Sequence, residues 1–126
     1  MNRSKAGKDG ERFCAEYYRK NGFIVAAMNY HSVYGEIDVI AENADTLVFC
    51  EVKTRRESDF AEAREAVTKS KMRKIMLTAL SYLSDRPSEK QIRFDVFEVI
   101  TNGERLIKFR NNENAFGFDE EILGEY

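Results

Sequence analysis

Three ionisable residues stand inside runs that otherwise look like buried strands. Asp38 interrupts Gly35-Glu36-Ile37-Asp38-Val39-Ile40-Ala41, and Glu51 and Lys53 close Leu47-Val48-Phe49-Cys50-Glu51-Val52-Lys53. Strand side chains alternate, so Glu51 and Lys53 share a face with Leu47 and Phe49 while Val52 points the other way. Asp38 joins that face if it pairs across from Glu51, which requires either a two-residue turn at Ala44-Asp45 or a four-residue turn from Asn43 to Thr46. Two carboxylates roughly 5 Å apart across a ladder repel, and when half-buried they cost stability unless a cation or a proton lies between them. Hard oxygen ligands of this kind suit Mg²⁺ or Mn²⁺, and the absence of nearby Cys or His pairs argues against zinc. The competing reading is a surface charge network in which Lys53 neutralises the two acids; a Glu-x-Lys triplet alone is a weak signal.

The elements that must position these residues follow from the hydrophobic pattern. A helix is expected over Asp9 to Asn21, with Asp9 or Gly10 as its cap, Gly22 past its end and Cys14, Ala15, Tyr17 and Tyr18 as its buried stripe. Glu11 can share the side of this helix that faces a sheet, which makes it a candidate third ligand; alternatively it only complements the helix dipole. Phe23 to Tyr30 reads as a strand, His31 to Tyr34 as a polar connection, and the two runs around Asp38 and Glu51 as a hairpin. Arg55 to Ala66 reads as a loop or weak helix. Thr68 caps a helix to about Ser84, with Met72, Ile75, Ala79, Leu80 and Leu83 as its stripe and Asp85-Arg86-Pro87 as its stop. Ile92 to Ile100 is a strand, Asn102-Gly103 a turn, and Arg105 to Arg110 the returning strand. A strand-helix-strand crossover makes the strands at Leu47 and Ile92 parallel, so the sheet should be mixed.

The chain has 126 residues, 43% of them hydrophobic and 33% charged, which fits one globular domain. No apolar run approaches the roughly 18 residues of a membrane span and the N-terminal stretch has no signal-peptide core, so no membrane association and a cytoplasmic location are expected. Cys14 and Cys50 lack the spacing of a metal or redox motif and read as reduced core residues. The net charge of -2 hides an asymmetry. Lys53, Arg55, Arg56, Arg64, Lys69, Lys71, Arg73 and Lys74 outnumber Glu57, Asp59, Glu62 and Glu65, whereas residues 111–126 carry five acids and no base. The basic stretch is either a nucleic-acid surface or a solvated helix face.

Taken in order, Gly7-x-x-Gly10-Glu11, Gly22-Phe23, Asn29-Tyr30, Gly35-Glu36-Ile37-Asp38-Val39-Ile40, Thr46-Leu47-Val48-Phe49, Glu51-Val52-Lys53-Thr54-Arg55, Glu65-Ala66-Val67, Lys71 and Phe94-Asp95-Val96 resemble the YraN family of small bacterial proteins over about residues 5–100. That family in turn resembles the PD-(D/E)XK nucleases, in particular the archaeal Holliday junction resolvases. The resemblance implies an α/β, restriction-endonuclease-like αβββαβ core in residues 1–110, a mixed central sheet flanked by helices, with an added C-terminal hairpin strand. Residues 111–126 would then be an acidic tail. It also implies that Asp38, Glu51 and Lys53 are catalytic, that Glu11, Asp38, Glu51 and the Val52 carbonyl hold Mg²⁺ or Mn²⁺, and that Lys53 positions or activates the attacking water. The chain departs from the pattern at His31, where relatives often carry a basic residue, and after Arg55, where the usual Gly is missing.

The leading expectation is therefore a metal-dependent endonuclease acting on DNA, branched or flapped, with Arg55, Arg56, Lys69, Lys71, Arg73 and Lys74 holding flanking phosphates. A resolvase-type action favours a homodimer. The alternatives are a nucleic-acid-binding module that keeps the fold without catalysis, recruited by a protein partner through the acidic tail, and a protein-interaction module with a structural charge network.

Overall fold

The β-branched and aromatic runs pair with their neighbours in chain order. In the computed structural model, which describes residues 5–57 and 67–124, strands β1 (Ile24–Ser32), β2 (Gly35–Glu42), β3 (Thr46–Arg56), β4 (Gln91–Thr101) and β5 (Leu106–Phe116) form one sheet in the order β1-β2-β3-β4-β5. Helix α1 (Lys5–Lys20) packs on one face, and α2 (Lys69–Asp85) with the short α3 (Glu120–Leu123) packs on the other. The β3–β4 pair, joined through α2, is parallel; the other three pairs are antiparallel. The chain thus forms the expected α/β fold with a mixed sheet between helices.

Alternation splits the core in two. Towards α1, Cys14 and Tyr18 meet Val39, Ala41, Val48, Cys50, Phe97 and Val99. Towards α2, Ile75, Met76, Ala79 and Tyr82 meet Ile40, Leu47, Phe49, Phe94 and Val96. Full burial of each such side chain stabilises by roughly 1.5–3 kcal/mol, which makes β2, β3 and β4 the rigid centre of the molecule. The two cysteines are free and buried, their sulfurs 3.8 Å apart.

Several boundaries differ from the sequence reading. Helix α1 starts at Lys5, one turn early, and the polar connection after β1 shrinks to Val33-Tyr34. The loop expected over Arg55 to Ala66 begins later, because β3 runs to Arg56 beside Thr101 of β4; residues 58–66 lie outside the described residues. The segment expected to be a tail from Asn111 is instead the far half of β5, followed by α3, whose Ile122 and Leu123 pack on the α2-side core. Asn111, Asn112 and Asn114 read as loop residues by propensity. They are held in the strand by bonds to Asp95, Val96 and Glu98 of β4, with a bulge at Asn114 (φ 53°).

Candidate active site

The β2–β3 hairpin closes at Ala44-Asp45. The Asn43 N–H donates to the Thr46 carbonyl (3.0 Å), and the Asn43 side-chain oxygen accepts from the backbone N–H groups of Asp45 and Thr46. This fixes the register Glu42↔Leu47 to Val39↔Cys50. Beyond Val39 the ladder stops, and the Asp38 carboxylate takes the Val52 N–H at 2.7 Å. Asp38 and Glu51, both buried, therefore come together at the point where β2 and β3 part. Burial first, and the Glu51 charge next, push the Asp38 carboxyl up to about 8, against the opposing pull of the Val52 N–H.

Glu11 reaches the same region from the other side of the sheet. A Cβ on Gly10 would collide with the Thr54 hydroxyl, so only glycine lets α1 sit this low on β3. Glu11 is buried, accepts from the Asn29 side chain at 3.0 Å, and contributes to raising the Asp38 proton affinity. Asn29 itself sits in the left-handed region (φ 52°) on β1, between residues paired with Ile37 and Val39. Among the described residues no three His, Cys, Asp or Glu side chains converge on one point, so Asp38 and Glu51 form the pair and Glu11 lies beside it.

The ammonium on Glu51 belongs to Lys71, at 2.7 Å from its carboxylate, rather than to Lys53. Burial works to lower the Lys71 pKa, but the Glu51 hydrogen bond and the charges of Glu51, Asp38 and Glu36 prevail and raise it. Lys53 lies two residues along β3 from Glu51, half-buried and in register with Glu98 of β4.

The profile described as uncharacterised protein family UPF0102 matches residues 10–99. The chain belongs to the UPF0102 family. It is 40% identical over 118 residues to the UPF0102 protein of Dictyoglomus thermophilum, covering 92% of this chain and all of that relative. It is 38% identical to the Persephonella marina member, covering 90% and 94% of the two chains, and 42% identical over 103 residues to the Nocardia farcinica member, covering 80% and 81%. This is the YraN-like family whose motif order the sequence resembles.

In this UPF0102 protein the basic residues flank the acids unevenly. Lys69, Lys71, Arg73 and Lys74 occupy the first turns of α2, after Thr68, whose side chain caps the helix by accepting from the Lys71 N–H at 3.1 Å. Lys74 lies over Gly35 of β2, so this cluster borders the acids on the β2 side. Arg55 and Arg56 lie on β3, and the Arg56 guanidinium rests against the β4–β5 turn at Gly103. Sequence reasoning placed Lys71 among DNA contacts and missed its bond to Glu51, and it missed Asn29 as the anchor of Glu11. The signal for Asn29 was there: an asparagine in mid-strand is a poor strand former that tolerates the left-handed conformation.

Proposed function

We propose that this UPF0102 protein is a divalent-metal-dependent endonuclease acting on DNA, with branched or flapped structures as the substrate class, through a PD-(D/E)XK-type site. The observation that carries the reading is the Asp38–Glu51 pair: two buried acids forced together at a strand fork, one of them with a strongly raised proton affinity. Such an arrangement costs stability and is retained where a cation relieves it. The donor set fits a hard divalent ion, with Asp38, Glu51 and the Val52 carbonyl as ligands and Glu11 adding its charge from beside the pair. Such an ion supplies an activated water and charge neutralisation at the scissile phosphate.

The chain's own residues then divide the remaining work. Lys53, beyond Glu51 on β3, orients the attacking water or stabilises the developing negative charge. Lys71 holds the Glu51 carboxylate in place through its 2.7 Å ion pair. The cations of α2 hold phosphates on one side of the cut. Incubation with labelled linear, flapped and four-way DNA in Mg²⁺ or Mn²⁺ tests the reading. Strand scission that disappears in Asp38→Asn is expected; intact DNA in every combination would overturn it.

One observation favours a second reading, a non-catalytic nucleic-acid-binding or protein-interaction module. Lys71 already neutralises Glu51, as a structural network requires. Calorimetric Mn²⁺ titration with bound DNA separates the two, because only the nuclease reading expects a binding heat that Asp38→Asn removes.

A further inference from the structure

The apolar cluster beneath α2 ends at Val96, and the next β4 side chains on that face are Glu98 and Ile100. Glu98 has Lys53 in register on one side and Arg110 on the other; Ile100 has Arg55 and Lys108. Four cations on the two strands flanking β4 thus surround one acid, in two rows roughly 7 Å apart along the strands. The acid is internally engaged. Its carboxylate accepts from the Arg110 guanidinium (2.8 and 3.3 Å) and from the Asn112 amide (2.9 Å). Arg110 remains 68% exposed while making that bond, so Glu98 orients it without hiding it. Glu98, Ile100, Lys108 and Arg110 line a groove of about 220 Å³ that opens on the same face of the sheet as Glu51.

We propose that this groove, walled by Lys108 and Arg110, is a second phosphate-contact surface that holds duplex DNA on the β4–β5 side of the Asp38–Glu51 pair. The α2 lysines border the acids on the β2 side, so the strand order places the pair between two cationic banks. A duplex crossing it would be held at both flanks, whereas one bank would fix only one end. The partner follows from charge: a rigid surface with cations in rows matches a polyanion with regularly spaced phosphates and offers no deep pocket for a small ligand. Sequence order hides this bank, because Lys108 and Arg110 lie more than thirty residues beyond Lys74 and border the acidic C-terminal segment.

The inference rests on the nucleic-acid reading above, and its test is a binding measurement that needs no cleavage. A labelled duplex is titrated in EDTA at several salt concentrations with wild type, with Lys108→Gln/Arg110→Gln, and with Arg12→Gln/Arg19→Gln, which removes equal charge from exposed positions on α1. The groove variant should weaken binding and reduce the slope of log Kobs against log salt by about 1.8, at about 0.9 per lost phosphate contact. The α1 variant should keep the wild-type slope. Circular dichroism checks folding, and Lys108→Gln alone, with half the change in slope, serves if the double variant unfolds. Wild-type duplex binding with an unchanged slope in the groove variant would overturn the groove alone, as would equal flattening in the α1 variant. A wild type that binds no duplex would overturn the nucleic-acid reading with it.

Discussion

Two buried acidic sites lie on opposite faces of the same sheet, and they are built on opposite principles. Asp95, on the α1 side of β4, is 1% exposed and has every need met. It accepts two bonds at 2.9 Å from the Arg93 guanidinium, one from the Tyr18 hydroxyl at 2.5 Å, and one from the Asn114 N–H at 3.0 Å. Those partners come from α1, β4 and β5, so Asp95 ties three elements together. Asp38 and Glu51 are almost as buried, yet they face each other, and the ammonium bonded to Glu51 is that of Lys71, on a side chain that is half exposed. A buried acid surrounded by donors is a structural rivet. One pressed against another acid raises the demand for a proton or a cation at that point.

Cleavage gives the largest test of that contrast. If the nuclease proposal holds, Asp38→Asn, Glu51→Gln and Lys53→Ala should each lower DNA cleavage by at least about a hundredfold without unfolding the protein, since each removes a group that the proposed reaction uses. Raised Mn²⁺ should partly restore Glu51→Gln, which loses metal affinity, and should not restore Lys53→Ala. A Lys53→Ala protein that cuts at the wild-type rate but melts earlier at pH 8 would return the site to a structural role.

Asp95→Ala should do the reverse, costing about 3 kcal/mol in urea denaturation because it strands the Arg93 guanidinium and the Tyr18 hydroxyl. A loss below about 1 kcal/mol would erase the distinction between the two sites.

A further test concerns pH in the absence of metal. Asp38 titrates near about 3.9 in an unfolded chain and near about 8 in the fold. Between those values the folded state holds a proton that the unfolded chain has released, so Asp38 makes stability fall as pH rises through this window. Asp38→Asn should remove that slope, leaving the variant relatively more stable than wild type at pH 8 than at pH 5. Parallel melting curves across that range would show that the acids do not oppose each other.

Much of this was readable in the sequence where local rules decide. Alternation and a turn at Ala44-Asp45 sufficed to bring Asp38 to Glu51, and Thr68 marked the start of α2 through its capping chemistry. The crossover rule settled the parallel β3–β4 pair. What local rules missed depends on contacts distant in sequence. Lys71 meets Glu51 only because α2 docks across the sheet, and the periodicity of α2 says which face is apolar without saying what its first turn overlies. Asn111 to Asn114 form strand because β4 supplies the partners their own propensity lacks.

The parallel pairing of β3 with β4 also shapes how the chain must be made. Phe49 pairs with Phe94, 45 residues later, so the central strand of the sheet cannot complete its hydrogen bonding until α2 and most of β4 have left the ribosome. At roughly 5–20 residues per second, the β1–β3 meander waits several seconds with its most apolar strand open along one edge. Throughout that interval Cys50, Phe49 and Val48 offer a sticky edge to other nascent chains, and Glu51, Lys53, Arg55 and Arg56 are the charges on that strand available to discourage the wrong pairing. Glu51 and Lys53, proposed above as catalytic, would thus serve the newborn protein first as gatekeepers, before any substrate arrives.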